Sequence, residues 1–286
     1  MVATIFHRLE YIYDKDVFLG PQQFYMSIKP DAHIDVIREE IAVYPPPEKL
    51  IEQTDAEGNV LKMAFFEKKT KQLLVESKIK LEAKSFNPFD FYYFPKESQR
   101  LPVKYPEEHS QFLQAYLLNE QPTDEIRRIS DYLKKNSAGF TSAFLMAINH
   151  FIFEEFAYEI RHEGNAKTAI ETLNRKSGSC RDFAYLFAAI AQAQGLATRF
   201  VSGYYLGHSP IDAPDQSHNL HAWVEVFLPG GGWRGFDPTQ NEVVCGNHVA
   251  LACSYDLSKV APVSGYFFGN SVSTLKTIVD LKMVNN

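Results

Sequence analysis

Three residue types in this sequence could together carry out nucleophilic catalysis: a cysteine, a histidine and an aspartate. They are Cys180, His221 and Asp237, in that order along the chain. Acyl transfer through a thiol needs a thiolate as nucleophile, an imidazole to exchange its proton, and a carboxylate to fix the tautomer of the imidazole and stabilise its cation. The set therefore suits attack on a carbonyl carbon, provided that the fold brings the three side chains together.

Cys180 is predicted to lie at the first position of a helix. Ser179 can cap this helix, Asp182 can complete a capping box, and the alanine-rich run that follows should end at Gly195. The free N–H groups and the positive end of the dipole at a helix start stabilise an anion, so they favour the reactive thiolate. A buried, inert cysteine remains the alternative, because free cysteine is among the residue types most often buried.

His221 begins a predicted strand that runs to Leu228, and a second strand from Trp233 returns the chain to Asp237. The turn between the two strands holds three consecutive glycines. A four-residue loop at 229–232 would turn Asp237 to the wrong side of the sheet. We therefore expect a longer connection or a β-bulge that sets His221 opposite Asp237.

Histidine and cysteine pairs also raise the question of a metal site. His218 with His221, and Cys245 with His248, form two short pairs. Structural zinc sites usually bring closely spaced cysteine or histidine pairs on turns, and the spacing here is loose, so we predict no metal and no cofactor. A metal-dependent hydrolase that uses His218, His221 and Asp237 stays open as an alternative.

The elements that must position these residues divide the chain into two halves. From Ile5 to about Ala83 the sequence is typical of strands separated by turns. Apolar and charged residues alternate over 73–83, which predicts a strand with one buried face. We expect an N-terminal antiparallel β-sandwich over residues 1–95, followed by a second domain over residues 96–286.

Helical periodicity begins after a proline-interrupted stretch at 87–106. We predict helices over 123–135, with Thr123 as the cap, over 142–160 and over 166–175. The predicted class is therefore α+β, with the candidate residues in the part of the chain that mixes helices and strands.

Composition and charge limit the possible partners. The 286 residues are 45% hydrophobic and 22% charged, as in globular proteins, and the net charge of −6 comes without a basic block, so we expect no nucleic-acid partner. No apolar stretch reaches the roughly 20 residues that span a bilayer, which predicts no membrane association. Arg8 and Glu10 stand where a signal peptide would place its apolar run, and this favours a cytoplasmic or already processed chain. The oligomeric state is not indicated.

Four blocks stand in an ordered series: 178–184, 195–204, 221–226 and 235–239. They read GSCRDFA, GLATRFVSGY, HAWVEV and GFDPT. Together they resemble the bacterial transglutaminase-like superfamily of cysteine-protease type, and the preceding strands resemble the N-terminal region that often accompanies this core. The resemblance implies a papain-like α+β core, in which a helix bearing the thiol packs on an antiparallel sheet.

By this resemblance Cys180 is the nucleophile, His221 the general acid and base, and Asp237 the residue that orients His221. It implies a thiol-dependent amide hydrolase or acyl transferase, such as a cysteine peptidase, that acts on a peptide or protein amide through a thioester. A protein-glutamine transglutaminase uses the same three residues, and a binding module could keep the fold without turnover. We favour hydrolysis, because water is abundant and nothing in the sequence plainly builds a tunnel for an amine.

Overall fold

The structure is a computed structural model that describes residues 1–117, 122–161, 164–207 and 220–284. It combines antiparallel sheets with helices, which confirms the predicted α+β class. The strands are β1 Val2–Phe24, β2 Ile34–Tyr44, β3 Lys49–Thr54, β4 Val60–Phe65, β5 Thr70–Ala83, β6 Ala157–Tyr158, β7 Ser177–Gly178, β8 Thr198–Tyr205, β9 Leu220–Leu228, β10 Gly232–Asp237, β11 Glu242–Val243, β12 His248–Ser254, β13 Val263–Phe268 and β14 Ser273–Val284. The helices are α1 Glu107–Ser110, α2 Gln114–Leu117, α3 Asp124–Asn136, α4 Thr141–Glu155, α5 Ala169–Arg175 and α6 Cys180–Gln192. Short 3₁₀ helices cover Lys96–Gln99 and Leu257–Val260.

The N-terminal sheet curls around a buried apolar cluster. Strand β1 runs through its centre, pairing with β5 along its first half and with β4 near its end, in the strand order β2-β5-β1-β4-β3. Alternation along β5 buries Leu73, Val75 and Ile79, as the sequence pattern predicted. Side chains from both halves fill the space between them, such as Tyr13 and Phe267, whose ring centroids are 5.0 Å apart. The expected sandwich is therefore a curled sheet whose two halves face each other.

The C-terminal strands complete this same sheet. Strand β14 pairs with the first half of β1, and β13 pairs with its second half. Strand β1 is 23 residues long and offers two edges, so it can hold partners from both ends of the chain. The predicted division into residues 1–95 and 96–286 did not include this return, because pairing between strands so far apart in sequence leaves no local pattern.

The second sheet is antiparallel, in the order β11-β10-β9-β8-β12, and helix α6 packs against it. Phe183, Leu186 and Phe187 of α6 share a buried cluster with Val224 of β9 and Phe236 of β10. These side chains are at most 2% exposed. Burying such a side chain stabilises the fold by about 1.5–3 kcal/mol relative to leaving it in water. The packing therefore holds the N-terminus of α6 in a fixed position relative to β9 and β10.

The two sheets contact each other along β8 and β12. Tyr204 and Val249 share a buried cluster with Ile5 of the N-terminal sheet. The turn between β3 and β4 adds polar contacts, because the side chain of Asn59 donates to the carbonyl of Cys253 and accepts from its N–H, each at 2.8 Å. The N-terminal sheet thus supports the strands that carry the candidate residues.

The predicted helices form, but α4 ends earlier than predicted and α5 begins later. Helix α3 begins after its predicted cap, Thr123. Helix α4 ends at Glu155, before the predicted end, because Phe156 is extended and the chain enters β6. Helix α5 begins later than predicted because Thr168 caps it. Within the part of the chain described above, no helix is long and apolar enough to cross a membrane.

A buried histidine in β1 makes folding sensitive to acid. His7 is fully buried, and its Nδ1 atom lies 2.9 Å from the hydroxyl of Tyr204. Burial lowers the pKa of His7 from its ordinary value of 6.5 to about 4. Between these values the unfolded chain takes up a proton that the folded protein does not, so stability is lost as the pH falls through this range.

We predict that His7→Gln reduces this acid sensitivity. Between pH 7 and pH 4 the fall in unfolding free energy should be smaller than in the wild type by up to about 3 kcal/mol, since each unit of pKa shift corresponds to about 1.4 kcal/mol. Urea unfolding at both pH values measures the difference. His150→Gln changes an exposed side chain and should keep the wild-type dependence. Equal losses in the wild type and in His7→Gln would contradict the prediction.

Candidate active site

Helix α6 starts at the predicted residue, and a buried carboxylate holds its first turn. Cys180 is the first helical residue, and Ser179 is the N-cap. The carboxylate of Asp182 accepts hydrogen bonds from the backbone N–H and the hydroxyl of Ser179, at 2.8 and 3.0 Å. Arg161 forms an ion pair of 2.6 Å with the same carboxylate. Asp182 is thus engaged in capping the helix that carries Cys180.

The predicted imidazole and carboxylate meet at the end of the β9–β10 hairpin. Nε2 of His221 lies 2.6 Å from Oδ2 of Asp237, while Oδ1 accepts the N–H of Thr239 at 2.9 Å. Asp237 is fully buried, and His221 is 4% exposed. Because an ionised carboxylate only accepts hydrogen bonds, His221 must donate from Nε2, which leaves its Nδ1 atom available to exchange a proton.

The hairpin reaches this geometry through a turn that differs from the expected one. The connection has three residues, 229–231, and the ladder beyond it has no bulge. In this register Asp237 lies across from Trp223 and on the same face as His221, because side chains two positions apart in a strand share a face. The expected longer connection or β-bulge was therefore wrong. Gly230, with a φ of +85°, permits the shorter turn.

The sulfur of Cys180 lies next to Ala222 of β9. The last residue pair between β9 and β10 is Val224 with Phe236, and Ala222 precedes that pair on β9. The imidazole of His221 and the backbone N–H of Ala222 both hydrogen-bond to this sulfur. The hydroxyl of Tyr158 hydrogen-bonds to it as well. Cys180 is half-buried, so part of the residue remains exposed.

Charges around the sulfur favour the thiolate. Burial raises the pKa of the Cys180 thiol, but the hydrogen bond and positive charge of His221, with a contribution from Arg181, outweigh burial and lower it. Burial lowers the pKa of His221, whereas the charge and hydrogen bond of Asp237 raise it to about 10. Burial raises the pKa of Asp237, and the charge and hydrogen bond of His221 bring it well below its usual range. These directions favour a thiolate, an imidazolium and a carboxylate near neutral pH.

Two residues that the sequence did not assign to the site lie within it. Nε2 of His248 is 2.9 Å from the same Oδ2 atom of Asp237, and its side chain is fully buried. Tyr158 reaches Cys180 from β6, which pairs in parallel with β7. In the sequence, His248 stands out only as the neighbour of Cys245 in a possible metal pair. Its place in β12, next to β8 in the sheet, depends on long-range pairing that the spacing of residues does not reveal.

The cluster around Asp237 bears on the metal alternative. The possible ligand atoms of His221, Asp237 and His248 all lie within 4.8 Å of one another, and two imidazoles with a carboxylate are ligands that zinc accepts. His218, the ligand considered from the sequence, lies outside the described residues. Both Nε2 atoms are at hydrogen-bonding distance from one carboxylate oxygen, so the three side chains also form a hydrogen-bond network, in which Nδ1 of His248 has no partner among the described residues.

The other two cysteines lie in surroundings that suppress the thiolate. Cys253 is fully buried, and burial raises the pKa of its thiol to about 11. Cys245 is half-buried, and burial together with the charge of Glu242 raises the pKa of its thiol. Reagents that need a thiolate should therefore react with Cys180 first.

A buried indole ring packs beside the histidines. Trp223 is 1% exposed, and its ring contacts that of His248 edge to face, with centroids 5.1 Å apart. Gly203 pairs with His221 in the neighbouring strand. A Cβ atom on Gly203 would lie 2.1 Å from the carbonyl oxygen of Val249 and 2.8 Å from the Trp223 ring. Any side chain at residue 203 would therefore displace the indole or the adjacent strand.

Comparison with known families matches both halves of the chain. Residues 138–238 match the model of the transglutaminase-like superfamily. Residues 3–82 match the model of the bacterial transglutaminase-like N-terminal region. Both matches agree with the resemblance found in the sequence blocks.

Curated relatives match part of the chain. An uncharacterized protein of Mycobacterium leprae is 28% identical over 121 residues, which cover 41% of this chain and 42% of that protein. An uncharacterized protein of Mycobacterium tuberculosis is 30% identical over 131 residues, which cover 43% of this chain and 41% of that protein. A protein-glutamine gamma-glutamyltransferase of Pseudomonas aeruginosa is 29% identical over 150 residues, which cover 48% of this chain and 22% of that protein. The chain thus spans less than half the length of these relatives.

A solved structure from Cytophaga hutchinsonii, described as a "putative cysteine protease", has a similar fold. Its TM-score is 0.65 at 20% sequence identity, and the superposition covers 99% of this chain and 92% of that one. A likeness at this identity shows a shared fold and no more. With the fold and both sequence matches in agreement, residues 138–238 of this chain belong to the transglutaminase-like superfamily, and residues 3–82 form a bacterial transglutaminase-like N-terminal region.

Proposed function

We propose that the protein is a thiol-dependent amide hydrolase that acts on a peptide or protein, with Cys180 as its nucleophile. One observation carries this proposal: the thiol of a half-buried cysteine at a helix start is hydrogen-bonded to His221, which a buried carboxylate holds at 2.6 Å. Nucleophilic catalysis by a thiolate needs this set of contacts. Membership of the core in the transglutaminase-like superfamily supports the same chemistry.

The reaction proceeds through a thioester. The thiolate of Cys180 attacks the carbonyl carbon of the amide, and the electron pair of the C=O bond moves to oxygen. When the tetrahedral intermediate collapses, the C–N bond breaks and the leaving amine takes a proton from Nδ1 of His221. Neutral His221 then removes a proton from water, whose oxygen attacks the thioester and releases the acid together with the thiolate. Asp237 stabilises the imidazolium at each stage where it forms.

We assign two donors to the oxyanion. The backbone N–H of Cys180 belongs to the first turn of α6, where N–H groups lack a partner within the helix. The hydroxyl of Tyr158 hydrogen-bonds to the sulfur, so it lies close to the carbon that the sulfur attacks. Donors that face a developing oxyanion stabilise the transition state more than the ground state.

The thiolate can be tested by alkylation. At pH 6, iodoacetamide should modify Cys180 at least about 10-fold faster than an ordinary thiol, which has a pKa of about 8.5 and is mostly protonated there. The rate of alkylation should also change near pH 10, where His221 loses its proton. His221→Ala should reduce the rate at pH 6 to that of an ordinary thiol, because the imidazolium no longer stabilises the thiolate. Peptide mapping by mass spectrometry locates the label and gives its rate.

Cys245→Ser is the matched control, since it removes another half-buried thiol and should leave the rate at Cys180 unchanged. Sluggish labelling of Cys180 in the wild type would instead indicate a binding module without an activated thiol. Activity that a chelator abolishes and that Cys180→Ala leaves intact would indicate the metal-dependent alternative.

The assignment of Tyr158 can be tested without the natural substrate. Acylation of Cys180 by p-nitrophenyl acetate forms an oxyanion, whereas alkylation by iodoacetamide does not. Tyr158→Phe should therefore slow acylation at least about 10-fold more than alkylation, in line with the effect of removing one oxyanion donor. Tyr205→Phe removes a hydroxyl that bonds to Glu242, and it should leave the ratio of the two rates unchanged. Equal slowing of both reactions in Tyr158→Phe would contradict the assignment.

Transamidation is the second candidate, because one matched relative is a protein-glutamine gamma-glutamyltransferase. The two reactions share the thioester and differ in what resolves it, which is water in one case and an amine in the other. The residues that contact Cys180 serve both equally well.

We predict that water resolves the acyl-enzyme. The protein should be incubated with a glutamine-containing protein, such as casein, and a fluorescent primary amine. Hydrolysis releases ammonia or new peptide termini without incorporation of the amine, and an acid quench should retain an acyl adduct on Cys180 that mass spectrometry can weigh. Cys180→Ala, which removes the nucleophile, should show neither product nor adduct. Incorporation of the amine that depends on Cys180 would identify a transglutaminase instead.

A further inference from the structure

A second imidazole contacts the carboxylate that orients His221. His248, the first residue of β12, places Nε2 at 2.9 Å from Oδ2 of Asp237, and neither side chain is exposed. We propose that His248 is a positioning residue that fixes the direction in which Asp237 accepts the hydrogen bond of His221. This inference rests on the proposed function, since it concerns how the catalytic imidazole is held.

The acceptor sites of Asp237 account for this role. Oδ1 accepts the backbone N–H of Thr239 at 2.9 Å, and Oδ2 is shared by His221 at 2.6 Å and His248 at 2.9 Å. A carboxylate oxygen has two lone pairs, so the N–H of His248 occupies one and leaves the other for His221. His248 thereby blocks the second direction from which the N–H of His221 could approach Oδ2, and this keeps His221 in one orientation.

The shared acceptor also settles which nitrogens carry hydrogen. Asp237 is ionised and can only accept, so both histidines must donate from Nε2. For His221, this leaves Nδ1 to face proton exchange with Cys180. Any loosening of the carboxylate would allow the His221 ring to rotate and would weaken the contact that raises its pKa.

Rigid neighbours hold His248 itself. Its ring packs against the rings of Tyr205 and Trp223, with centroids 4.9 and 5.1 Å away. Within the described residues, the titratable groups that face it are Asp237, His221 and Tyr205, and the hydroxyl of Tyr205 is directed to Glu242. Among the described residues Nδ1 of His248 has no hydrogen-bond partner, so the contact of Nε2 with Asp237 is the polar contact that anchors the ring.

The test compares a substitution that removes the donor with one that keeps it. His248→Leu should slow alkylation of Cys180 by iodoacetamide at pH 6 about 10-fold, and it should move the change in rate near pH 10 to lower pH, because His221 is held less firmly. His248→Gln retains an N–H group at a similar distance from the backbone and should recover most of the wild-type profile. Both profiles are read on the full-length protein by mass spectrometry.

A merely structural role would give a different pattern. Leu251→Ala shortens another buried side chain of β12, which packs with the N-terminal sheet, so it should lower the unfolding midpoint without moving the alkylation profile. A wild-type profile in folded His248→Leu, or the same shift in Leu251→Ala, would overturn the inference. An EDTA-induced change in the wild-type profile would also overturn it, because the cluster would then be holding a metal. Ordinary, slow labelling of the wild type would instead reject the proposed function.

Discussion

The buried carboxylate of Asp237 is the constraint on which the rest of the site depends. A carboxylate removed from water is strongly destabilised unless hydrogen bonds and opposite charges compensate for the lost solvation. Here the compensation comes from three chain segments, through His221, His248 and the N–H of Thr239. The same contacts that stabilise the buried charge therefore hold β9 and β12 in place. They also orient the imidazole of His221, which hydrogen-bonds to the thiol of Cys180.

Two buried carboxylates lie near Cys180, and their partners give them different roles. Asp182 accepts the N–H and hydroxyl of Ser179 and pairs with Arg161 at 2.6 Å, so its acceptor sites are used at the start of α6. Asp237 has histidines as its partners and can stabilise an imidazolium. The two carboxylates therefore have separate partners. Asp182 stabilises the helix start at Cys180, and Asp237 contacts the histidine that hydrogen-bonds to the thiol of Cys180.

Local sequence signals predicted the elements that rely on nearby residues. Ser179 followed by Asp182 marked the start of α6, Thr123 marked the start of α3, and alternation marked the buried face of β5. The four blocks that identify the core are motifs of this local kind, whereas the N-terminal region resembles its family through the strands that precede the core. These motifs also predict that the side chains of Cys180, His221 and Asp237 come together.

Features that depend on strand register or on pairing between distant strands were not readable in the same way. The hairpin before Asp237 uses a three-residue turn, and the register that results depends on how glycines accept positive φ rather than on hydrophobic alternation. The contact of His248 with Asp237 depends on β12 joining β8, and the return of β14 to β1 depends on the two ends of the chain meeting. Such contacts arise from tertiary packing, which leaves no periodic trace in the sequence.

We propose that Cys180 and His221 form a thiolate–imidazolium pair in the resting protein. Ultraviolet absorbance tests it directly, because a thiolate absorbs in a range where a thiol does not, and the difference between the wild type and Cys180→Ala isolates one sulfur. We expect this difference to be present at pH 6 and to disappear only at more acidic pH. A difference that emerges only at about pH 8.5, where an ordinary cysteine thiol ionises, would contradict it.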